Sequence, residues 1–378
     1  MLSYEKCKNG ISIIIPNHNG EKVLKFSLIS LANQTFPKDM YEIIIIDNAS
    51  IDGSLKVIEQ VAQRYPKLSI KVIRLNKNLG YGRAINIGAL NARFELILAS
   101  NNDIIFHPKY LENLYRTYCY SRRMDKKIVA AQGLHMYYPE VNCIYNAGGL
   151  ISLLNGRYRF YGVCLTREEF SKIMRWAHRG ETKFSYIAFP NGAGALIEKE
   201  FFLKVGGYYR LYFSGIEEVD LGLLIHLLGH HIIFIPSAVL YHIEGYTLGG
   251  RPTFIPHKLF LILNGFFIYS LSLYDVLHFI QYYFAYALAL LMIMILSVFM
   301  REKNLVWVII KTLITNSKIK RMVLIRRSRI LTLQTVSLNE IFAYFRNVQR
   351  YVGIVKVISS FFVEILNKNY RKYMEYAR

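Results

Sequence analysis

The sequence EIIIIDNAS, residues 42–50, joins four consecutive isoleucines to a polar cluster that begins at Asp47. A short β-branched run of this kind is typical of a buried β-strand. Asp47 lies too early to cap the helix that follows, because Asp52 or Ser54 is better placed for that role. Directly after a strand, the Asp47 carboxylate can instead accept hydrogen bonds from the base or ribose of a nucleotide.

The same alternation continues on both sides of this stretch. Strand-like runs occur at Ile11–Ile15, Ile70–Leu75 and Leu96–Ala99, and helical patterns occur at Glu21–Asn33, Asp52–Tyr65 and Arg83–Ala92. Strand–helix–strand repeats with apolar strands predict an α/β fold, in which helices cover both faces of a mostly parallel sheet.

Four polar clusters follow the predicted strands. They are Pro16-Asn17-His18-Asn19, Asp47-Asn48-Ala49-Ser50, Asn76-Lys77-Asn78 and Asn101-Asn102-Asp103. In an open parallel sheet, ligands bind outside the carboxyl ends of the strands. We therefore expect the four clusters to converge on one cleft.

A glycine-containing segment, Asn78-Leu79-Gly80-Tyr81-Gly82-Arg83, follows the third predicted strand. It is similar to half of a dinucleotide fingerprint, but Ile85 occupies the place of the third glycine, which argues against a nicotinamide-dependent enzyme. The glycines still let a helix N-terminus approach a ligand, and Arg83 could pair with a diphosphate.

Several acids and one histidine are candidates for chemistry. A carboxylate at Asp103 can hold Mg²⁺ or Mn²⁺, which in turn binds a diphosphate, although a simple polar turn is the alternative. Glu217, Glu218 and Asp220 open a helix, where the helix dipole alone would favour acids, yet one of them could deprotonate an acceptor hydroxyl. His242 ends the last predicted strand, and a lone histidine is more often structural than a ligand.

The formal net charge of +21 is unevenly distributed. Residues 251–378 contain 18 Lys and Arg against 5 Asp and Glu, whereas residues 1–250 contain 29 against 21. The sequence carries no signature of a DNA- or RNA-binding module, and the basic residues of the last third flank apolar runs. The charge therefore favours a membrane partner over nucleic acid.

Two apolar segments, 259–274 and 279–300, lie in the last third. The second has the length of a membrane-spanning helix, the first is short for one, and basic residues flank their outer ends. We expect a helical hairpin or interfacial helices, and the alternative is a helical cap packed on the preceding domain. The basic stretch Lys318–Arg329 could contact anionic headgroups, and Val352–Leu366 has the pattern of an amphipathic helix.

The first ten residues lack the pattern of a signal peptide, and the four cysteines lie far apart. These observations predict that the N-terminal part remains in the cytosol and that the cysteines are reduced.

The stretches described so far resemble the inverting family 2 glycosyltransferases, which have the GT-A fold, and particularly their rhamnosyltransferase-like branch. Further stretches of this resemblance are Gly192-Ala193-Gly194, Gly206-Gly207-Tyr208, Glu217-Glu218-Val219-Asp220-Leu221 and Pro236-Ser237-Ala238-Val239-Leu240-Tyr241-His242. Together they extend from about residue 11 to residue 250 in the order that the family has.

The resemblance implies how the donor and a metal are bound. Asp47 is similar to the nucleoside-binding acid of the family, and Asp103 to the metal-binding acid of its DxD motif, whose first position is Asn101 here. His242 resembles the family's late metal-ligating histidine. The residues expected to bind the donor are Pro16, Asn17, Asn19, Asp47, Asn48, Ser50, Asn78, Gly80, Arg83, Asn101 and Asn102.

The resemblance also implies which residues face the acceptor. Glu218 occupies the position of the general base, which is usually an aspartate, so the choice among Glu217, Glu218 and Asp220 stays open. Gly192, Ala193 and Gly194 are expected to form the acceptor-side loop beside the reacting sugar.

The sequence thus predicts a GT-A domain at residues 1–250 and a helical, membrane-associating region at residues 251–378. The predicted activity is inverting transfer of a sugar from a nucleotide-diphosphate-sugar donor to an acceptor hydroxyl of a membrane-linked glycan, at the cytosolic face of the cell membrane and with Mg²⁺ or Mn²⁺. One alternative is a non-catalytic membrane-associated scaffold that retains the fold. The other is a processive polysaccharide synthase, although the sequence lacks the QxxRW-type motif that such enzymes carry.

Overall fold

The computed structural model describes residues 10–138, 144–151, 158–160, 171, 175, 183–243, 256–299 and 303–349. Its strands are β1 (Ile11–Asn17), β2 (Tyr41–Asp47), β3 (Ile70–Arg74), β4 (Leu96–Ser100), β5 (Ile104–Phe106), β6 (Ile128–Tyr137), β7 (Ile144–Asn146), β8 (Gly149–Ile151), β9 (Tyr158–Phe160), β10 (Ser185–Ile187), β11 (Gly194–Glu198) and β12 (His231–His242). Its helices are α1 (Glu21–Ala32), α2 (Ser54–Arg64), α3 (Tyr81–Leu90), α4 (Tyr110–Met124), α5 (Lys199–Lys204), α6 (Glu217–Leu227), α7 (Pro256–Leu273), α8 (Val276–Phe299), α9 (Lys303–Leu333) and α10 (Leu338–Gln349), with a 3-10 turn at Lys38–Met40. The amphipathic helix predicted at Val352–Leu366 lies outside the described residues.

The main sheet has the strand order β10-β12-β6-β11-β4-β1-β2-β3, with β5 on β12 and β7 on β6. β1 pairs in parallel with β2 and β4, and β2 with β3, as the strand–helix alternation predicts. β6 and β12 also pair in parallel, but the prediction of a mostly parallel sheet is wrong for the sheet as a whole. β11 turns back between β4 and β6 and pairs antiparallel with both, and β5 and β10 pair antiparallel with β12, so the sheet is mixed.

The isoleucine run of β2 is buried along its whole length. Ile43 and Ile45 belong to the core on one face of the sheet, and Ile44 and Ile46 to the core on the other. A strand covered on both faces has no polar side to alternate with, which explains the unbroken apolar run. Asp47 then lies at the carboxyl edge of the sheet, where parallel pairing places it beside Asn17.

Among the C-terminal helices, α7 and α10 pack on α6 and α9 packs on α7, and the helices differ in burial. Leu223 and Leu227 of α6 share one core with Phe267 and Ile268 of α7, which contains most of the first predicted apolar segment. The second segment corresponds to α8, much of whose apolar surface is exposed. Within the described residues, no helix combines the length and the apolar character needed to cross a membrane.

One expectation about redox state is wrong. Cys119, in α4, is disulfide-bonded rather than reduced. Wide spacing of cysteines along a sequence does not reveal which of them the fold brings together.

Candidate active site

Three of the four polar clusters meet through their side chains at the carboxyl edge of the sheet. The Asn17 amide donates a hydrogen bond to Ser50 Oγ at 3.1 Å, which joins the loops after β1 and β2. The Asn102 amide donates to Asn17 Oδ1 at 2.8 Å, which adds the loop after β4. Asn17 and Asn102 are buried, so these bonds hold the floor of the site rather than a mobile surface.

The fourth cluster joins them through backbone contacts. The Leu79 backbone N–H donates to Asn48 Oδ1 at 3.3 Å, and the Gly80 N–H donates to Asn78 Oδ1 at 2.9 Å. Gly80 has φ +83°, and a Cβ atom there would lie 2.2 Å from the carbonyl oxygen of Phe213. Glycine is therefore required where this loop passes the segment that leads into α6.

Asp47 presents a buried acceptor at this edge. Its side chain is 1% exposed, and Oδ1 has no hydrogen-bond partner among the described residues. Its other oxygen, Oδ2, lies 4.0 Å from Arg74 Nε. A buried acceptor without a donor costs about 1–3 kcal/mol, so the arrangement favours a ligand that brings a donor to Oδ1.

The loop after β1 is held in a left-handed turn. Asn19 has φ +53°, and its backbone N–H donates to Ser50 Oγ at 3.0 Å. Its side-chain Oδ1 accepts from the Ile51 N–H at 2.9 Å. Asparagine tolerates this conformation because its short polar side chain bonds locally. The bonds of Asn19 therefore fix the loop to the one after β2.

A basic cavity of about 250 Å³ adjoins the glycine segment. Lys77, Arg83 and Arg210 contribute to its lining together with Asn78 and Phe213. Arg83 Nε donates to the Arg210 carbonyl oxygen at 2.8 Å, which orients the guanidinium. Three cations around one concave surface suit an anionic ligand such as a diphosphate.

Asp103 and His242 form a second polar pair, on the other side of Asn102. Asp103 Oδ1 lies 3.2 Å from His242 Nε2, and both side chains are buried. The backbone holds the two strands together, since the Ile243 N–H donates to the Asp103 carbonyl oxygen at 3.0 Å. Neighbouring ligands of one octahedral cation are about 3 Å apart, so a carboxylate and an imidazole at this spacing fit Mg²⁺ or Mn²⁺.

His135 lies on β6, where it pairs with Leu240 of β12, the strand that ends at His242. Burial, and then the charge of His242, lower the pKa of His135 to about 3, so His135 is neutral at physiological pH. The described residues contain no group of three or more potential metal ligands. Two protein ligands suffice for Mg²⁺ when phosphate oxygens complete its coordination.

Helix α6 begins with a strained residue. Ile216, its N-cap, has φ +78°, which is costly for a β-branched side chain. Gly265 of α7 supports this turn, because a Cβ atom at Gly265 would lie 2.9 Å from Ile216 Cδ1. The strain directly precedes Glu217 and Glu218, at the place where the sequence predicts the base.

Glu217 and Glu218 lie in an apolar, tyrosine-rich environment. Burial raises the pKa of Glu218 to about 7, and burial together with the Glu218 charge raises the pKa of Glu217 well above its usual value. Glu217 is 3% exposed, whereas Glu218 is partly accessible. A partly accessible carboxyl group that ionises near neutral pH has the properties of a general base.

Asp220, the third acid, is bound by other side chains. Arg326 of α9 donates to both of its carboxylate oxygens, and the Tyr212 hydroxyl donates to Oδ1 at 2.8 Å. Asp220 is 1% exposed. Its environment thus differs from that of Glu218, because its charge is already compensated by a guanidinium.

The glycine loop and the acids lie next to each other. The Tyr81 hydroxyl, at the start of α3, donates to the Gly192 carbonyl oxygen. A Cβ atom at Gly82 would lie 3.0 Å from Tyr208 Cβ and 3.9 Å from Glu217 Cγ. Burial and the charges of the two glutamates raise the pKa of Tyr81 and of Tyr208. These contacts connect the donor-side loops to the candidate base.

The loop that contains Gly192 is supported from beneath. The Ala193 N–H donates to Asn191 Oδ1 at 2.9 Å, and the Asn191 N–H donates to Gln132 Oε1 at 2.6 Å. Gly194 begins β11 opposite Ser100, the last residue of β4. The loop is therefore a rigid part of the same cleft edge.

Three contributors to this site were not assigned a role from the sequence. Tyr81 was noted only as part of the glycine segment, and Tyr208 only as part of a resembling stretch. The Tyr208 hydroxyl is buried with no hydrogen-bond partner among the described residues. Arg326 lies 106 residues from Asp220 in a stretch interpreted as a headgroup contact, so no local signal could have linked the two.

Part of the chain matches the model of a known protein family. Residues 12–124 match the family model described as Glycosyl transferase family 2. These residues contain β1 to β4 and the clusters after them, which the sequence predicts to bind the donor. The match ends before the acceptor-side loop and the acids of α6.

Curated relatives are also named glycosyltransferases. The chain is 27% identical over 243 residues to the probable glycosyltransferase YdaM of Bacillus subtilis, an alignment that covers 63% of this chain and 51% of that protein. It is 24% identical over 222 residues to the N-acetylglucosaminyl-diphospho-decaprenol L-rhamnosyltransferase of Mycobacterium tuberculosis, covering 56% of this chain and 69% of that one. The chain thus spans about half the length of the Bacillus relative.

A solved structure resembles the fold. The crystal structure of GalNAc-T7 with UDP, GalNAc and Mn²⁺ aligns with a TM-score of 0.50 at 21% identity, covering 67% of this chain and 48% of that one. The similarity supports a GT-A-like α/β fold with a mixed sheet flanked by helices.

Proposed function

We propose that this chain is an inverting glycosyltransferase that moves a sugar from a nucleotide-diphosphate-sugar donor to an acceptor hydroxyl. The observation that carries the proposal is the contact between two halves of one cleft. Tyr81, which follows the donor-side loops, donates to the Gly192 carbonyl oxygen, and a Cβ atom at the adjacent Gly82 would lie 3.9 Å from Glu217 Cγ. The loops that would bind the donor therefore lie beside the candidate base. The match of residues 12–124 to family 2 supports the donor half independently.

Glu218 is the base in this proposal. The acceptor oxygen attacks the anomeric carbon and forms a new C–O bond, while the bond from that carbon to the diphosphate oxygen breaks. The acceptor proton goes to Glu218, and the electron pair of the broken bond leaves with the nucleoside diphosphate. A pKa of about 7 lets Glu218 accept the proton near neutral pH, whereas Asp220 is held by Arg326.

Donor binding rests on the loops after β1, β2 and β4 and on the basic cavity. Asp47 Oδ1, buried and without a donor in the described residues, would receive a hydrogen bond from the nucleoside. Arg83, with Lys77 and Arg210, would bind the diphosphate electrostatically. A cation held by Asp103 and His242 would neutralise negative charge on the leaving diphosphate.

The acceptor we propose is a membrane-linked glycan, in the manner of the rhamnosyltransferase-like branch. One of the aligned relatives is named a rhamnosyltransferase and carries diphospho-decaprenol, a lipid, in its name. That relative supports the branch and the acceptor class, and the identity of the sugar would follow from a donor panel.

The membrane partner we propose is a bilayer with anionic headgroups, at the cytosolic face. Helix α8 carries an exposed apolar stripe with helical spacing, which we call the α8 stripe: Leu277, Ile280, Phe284, Leu288, Leu291 and Ile295. Leu277, Ile280 and Phe284 are 63%, 59% and 70% exposed. Helix α9 adds exposed Trp307 and Ile310 as well as the exposed cations Lys311, Lys318, Lys320, Arg321 and Arg329. Apolar side chains beside cations are the pattern of an interfacial helix.

A vesicle assay tests the membrane partner. Full-length protein should sediment with phosphatidylcholine vesicles that contain phosphatidylserine and less with phosphatidylcholine alone. Ile280→Asp with Phe284→Asp should weaken sedimentation, whereas Leu90→Asp, at a residue 72% exposed on α3, should not. Unchanged sedimentation of the double variant would show that the α8 stripe does not bind the membrane.

A donor panel tests the activity. UDP-, dTDP- and GDP-sugars are assayed for released nucleoside diphosphate with and without Mn²⁺, using wild type, Glu218→Gln and, as control, Glu59→Gln on the exposed face of α2. We expect one donor class to be turned over by wild type and by the control, and Glu218→Gln to bind that donor without turnover. Release of diphosphate by none of the donors would contradict the proposed function.

A further inference from the structure

The carboxylate of Asp220 joins the first turn of α6 to the C-terminal helix α9. Arg326 Nη1 donates to Asp220 Oδ1 at 2.6 Å, and Nη2 donates to Oδ2. The Arg326 side chain is 12% exposed and that of Asp220 2% exposed. A bidentate pair sheltered in this way restrains both orientation and distance, unlike an exposed ion pair.

Arg326 is itself held on two further sides. Its Nη1 also donates to Ser272 Oγ of α7 at 3.1 Å. Its guanidinium lies over the ring of Tyr209, 4.2 Å from the ring centroid. The planar guanidinium is thus fixed by α7, by the segment before α6 and by Asp220, so it transmits the position of the C-terminal helices to α6.

Asp220 is one helical turn from Glu217 and two residues from Glu218. The strained turn at Ile216 gives this helix start no intrinsic preference for its conformation. External contacts must therefore hold it, and they include Gly265 against Ile216 and the bonds of Tyr212 and Arg326 to Asp220.

We propose that Arg326 is a positioning residue of the active site, which orients the Glu217–Glu218 turn through Asp220. The inference rests on the proposed function, because it assigns to the C-terminal helices a part in the chemistry of Glu218. Helices α7 and α9 then contribute to the active site through Gly265, Ser272 and Arg326.

Loss of Arg326 would change the charges that surround Glu217 and Glu218. The groups that face the two glutamates are Tyr81 from α3, Tyr208, Tyr212 and Asp220. Arg326, which is bonded to Asp220, places a positive charge next to these groups. Without it, the negative charge of Asp220 beside Glu217 would be uncompensated and would disfavour ionisation of the acid pair.

Arg327 provides a matched control. Its Nη1 donates to the Leu271 carbonyl oxygen at 3.0 Å and to the Tyr274 carbonyl oxygen. It therefore fastens α9 to α7 without contacting α6. Arg326→Gln and Arg327→Gln remove the same charge from adjacent positions, and only the first removes the contact with Asp220.

The experiment compares kcat, donor KM and the pH profile of kcat/KM for wild type and the two variants. We expect Arg326→Gln to lower kcat by on the order of 100-fold with little change in donor KM. We expect the acidic limb of its profile to move up by about one pH unit. Arg327→Gln should keep the wild-type midpoint. A folded Arg326→Gln with wild-type kcat and midpoint would overturn the proposal.

Two further variants cover a failure of Arg326→Gln to fold. Arg326→Lys keeps the charge but loses the planar fork that orients Asp220, and Asp220→Asn with Arg326→Gln strands no buried charge. The proposal expects both to have reduced kcat at unchanged donor KM, and wild-type kcat in either contradicts it. Inactivity of the wild type with every donor would instead refute the proposed function, so the two failures are distinguishable.

Discussion

The hydroxyl of Tyr81 donates a hydrogen bond to the carbonyl oxygen of Gly192, 111 residues away. Tyr81 is the first residue of α3 and follows the donor-side loop, whereas Gly192 belongs to the predicted acceptor-side loop. This bond joins the start of α3 to the predicted acceptor-side loop. The glycines on either side of Tyr81 have a separate role. Gly80 and Gly82 lack a Cβ atom and so let the start of α3 approach Phe213 and Tyr208.

Tyr81→Phe should loosen this connection. The Gly192 carbonyl oxygen would lose its donor, so we expect the free energy of unfolding to fall by about 1–3 kcal/mol and kcat to fall as well. Tyr41→Phe is the control, because the Tyr41 hydroxyl donates to the Leu31 carbonyl oxygen at 2.7 Å, away from the cleft. Urea denaturation and steady-state kinetics measure both effects. Equal kcat losses in the two variants would contradict a role for Tyr81 in the cleft.

Glu218→Gln should abolish turnover, and it should also remove the part of the pH dependence of the free energy of unfolding that Glu218 causes. The folded-state pKa of about 7 lies above the ordinary value of 4.5, so between these values the native state binds more protons than the unfolded state. The Glu218 contribution to stability is therefore present at low pH and is lost as pH rises towards 7. Wild type should show kcat/KM rising through about pH 7 while its free energy of unfolding falls. In Glu218→Gln the free energy of unfolding should fall less steeply with pH than in wild type, and in the control Glu59→Gln it should fall as in wild type. A wild-type slope in Glu218→Gln would exclude a raised pKa of Glu218.

The donor half of the site was accessible from the sequence because its information is local. β1, β2 and β4 are short, mostly apolar runs, and the polar residues that follow them must lie at the carboxyl edge once the strands pair in parallel. The meeting of Asn17, Ser50 and Asn102 follows from that rule. Asp103 is a metal candidate from its local sequence alone, but its partnership with His242 follows only from the family resemblance, since nothing local pairs residues so far apart in sequence.

The mixed sheet, the conformation of Ile216 and the packing of α7 depend on contacts that the local sequence pattern does not encode. The antiparallel insertion of β11 between β4 and β6, which makes the sheet mixed, is set by long-range pairing. Ile216 in a left-handed conformation is the opposite of what its side chain favours, and its neighbours impose it. The apolar character of α7 suited a membrane as well as a protein core, and only the fold shows it packed on α6.

Asp103→Asn and His242→Gln should each weaken Mn²⁺ binding in the presence of UDP. Each variant removes one of two side chains that lie 3.2 Å apart, and so leaves one protein ligand. Asp125→Asn is the control, because Asp125 Oδ2 pairs with His231 Nδ1 at 2.6 Å, at the opposite end of β12. Electron paramagnetic resonance of free Mn²⁺ measures the binding without any turnover. Equal affinities in all three variants would place the metal elsewhere.

Asp47→Asn should weaken donor binding without destabilising the fold. A hydrogen bond from a ligand to a charged acceptor contributes about 1.5–3 kcal/mol, so the dissociation constant of the nucleoside diphosphate should rise by about 10- to 150-fold. The carboxylate has one oxygen without a donor among the described residues, so its neutral amide relieves a desolvation penalty and the free energy of unfolding should be equal or higher. Asp39→Asn, in the exposed 3-10 turn, is the control for calorimetry and urea denaturation. A loss of stability without a loss of affinity would mean that Asp47 supports the loop between β2 and α2 rather than the ligand.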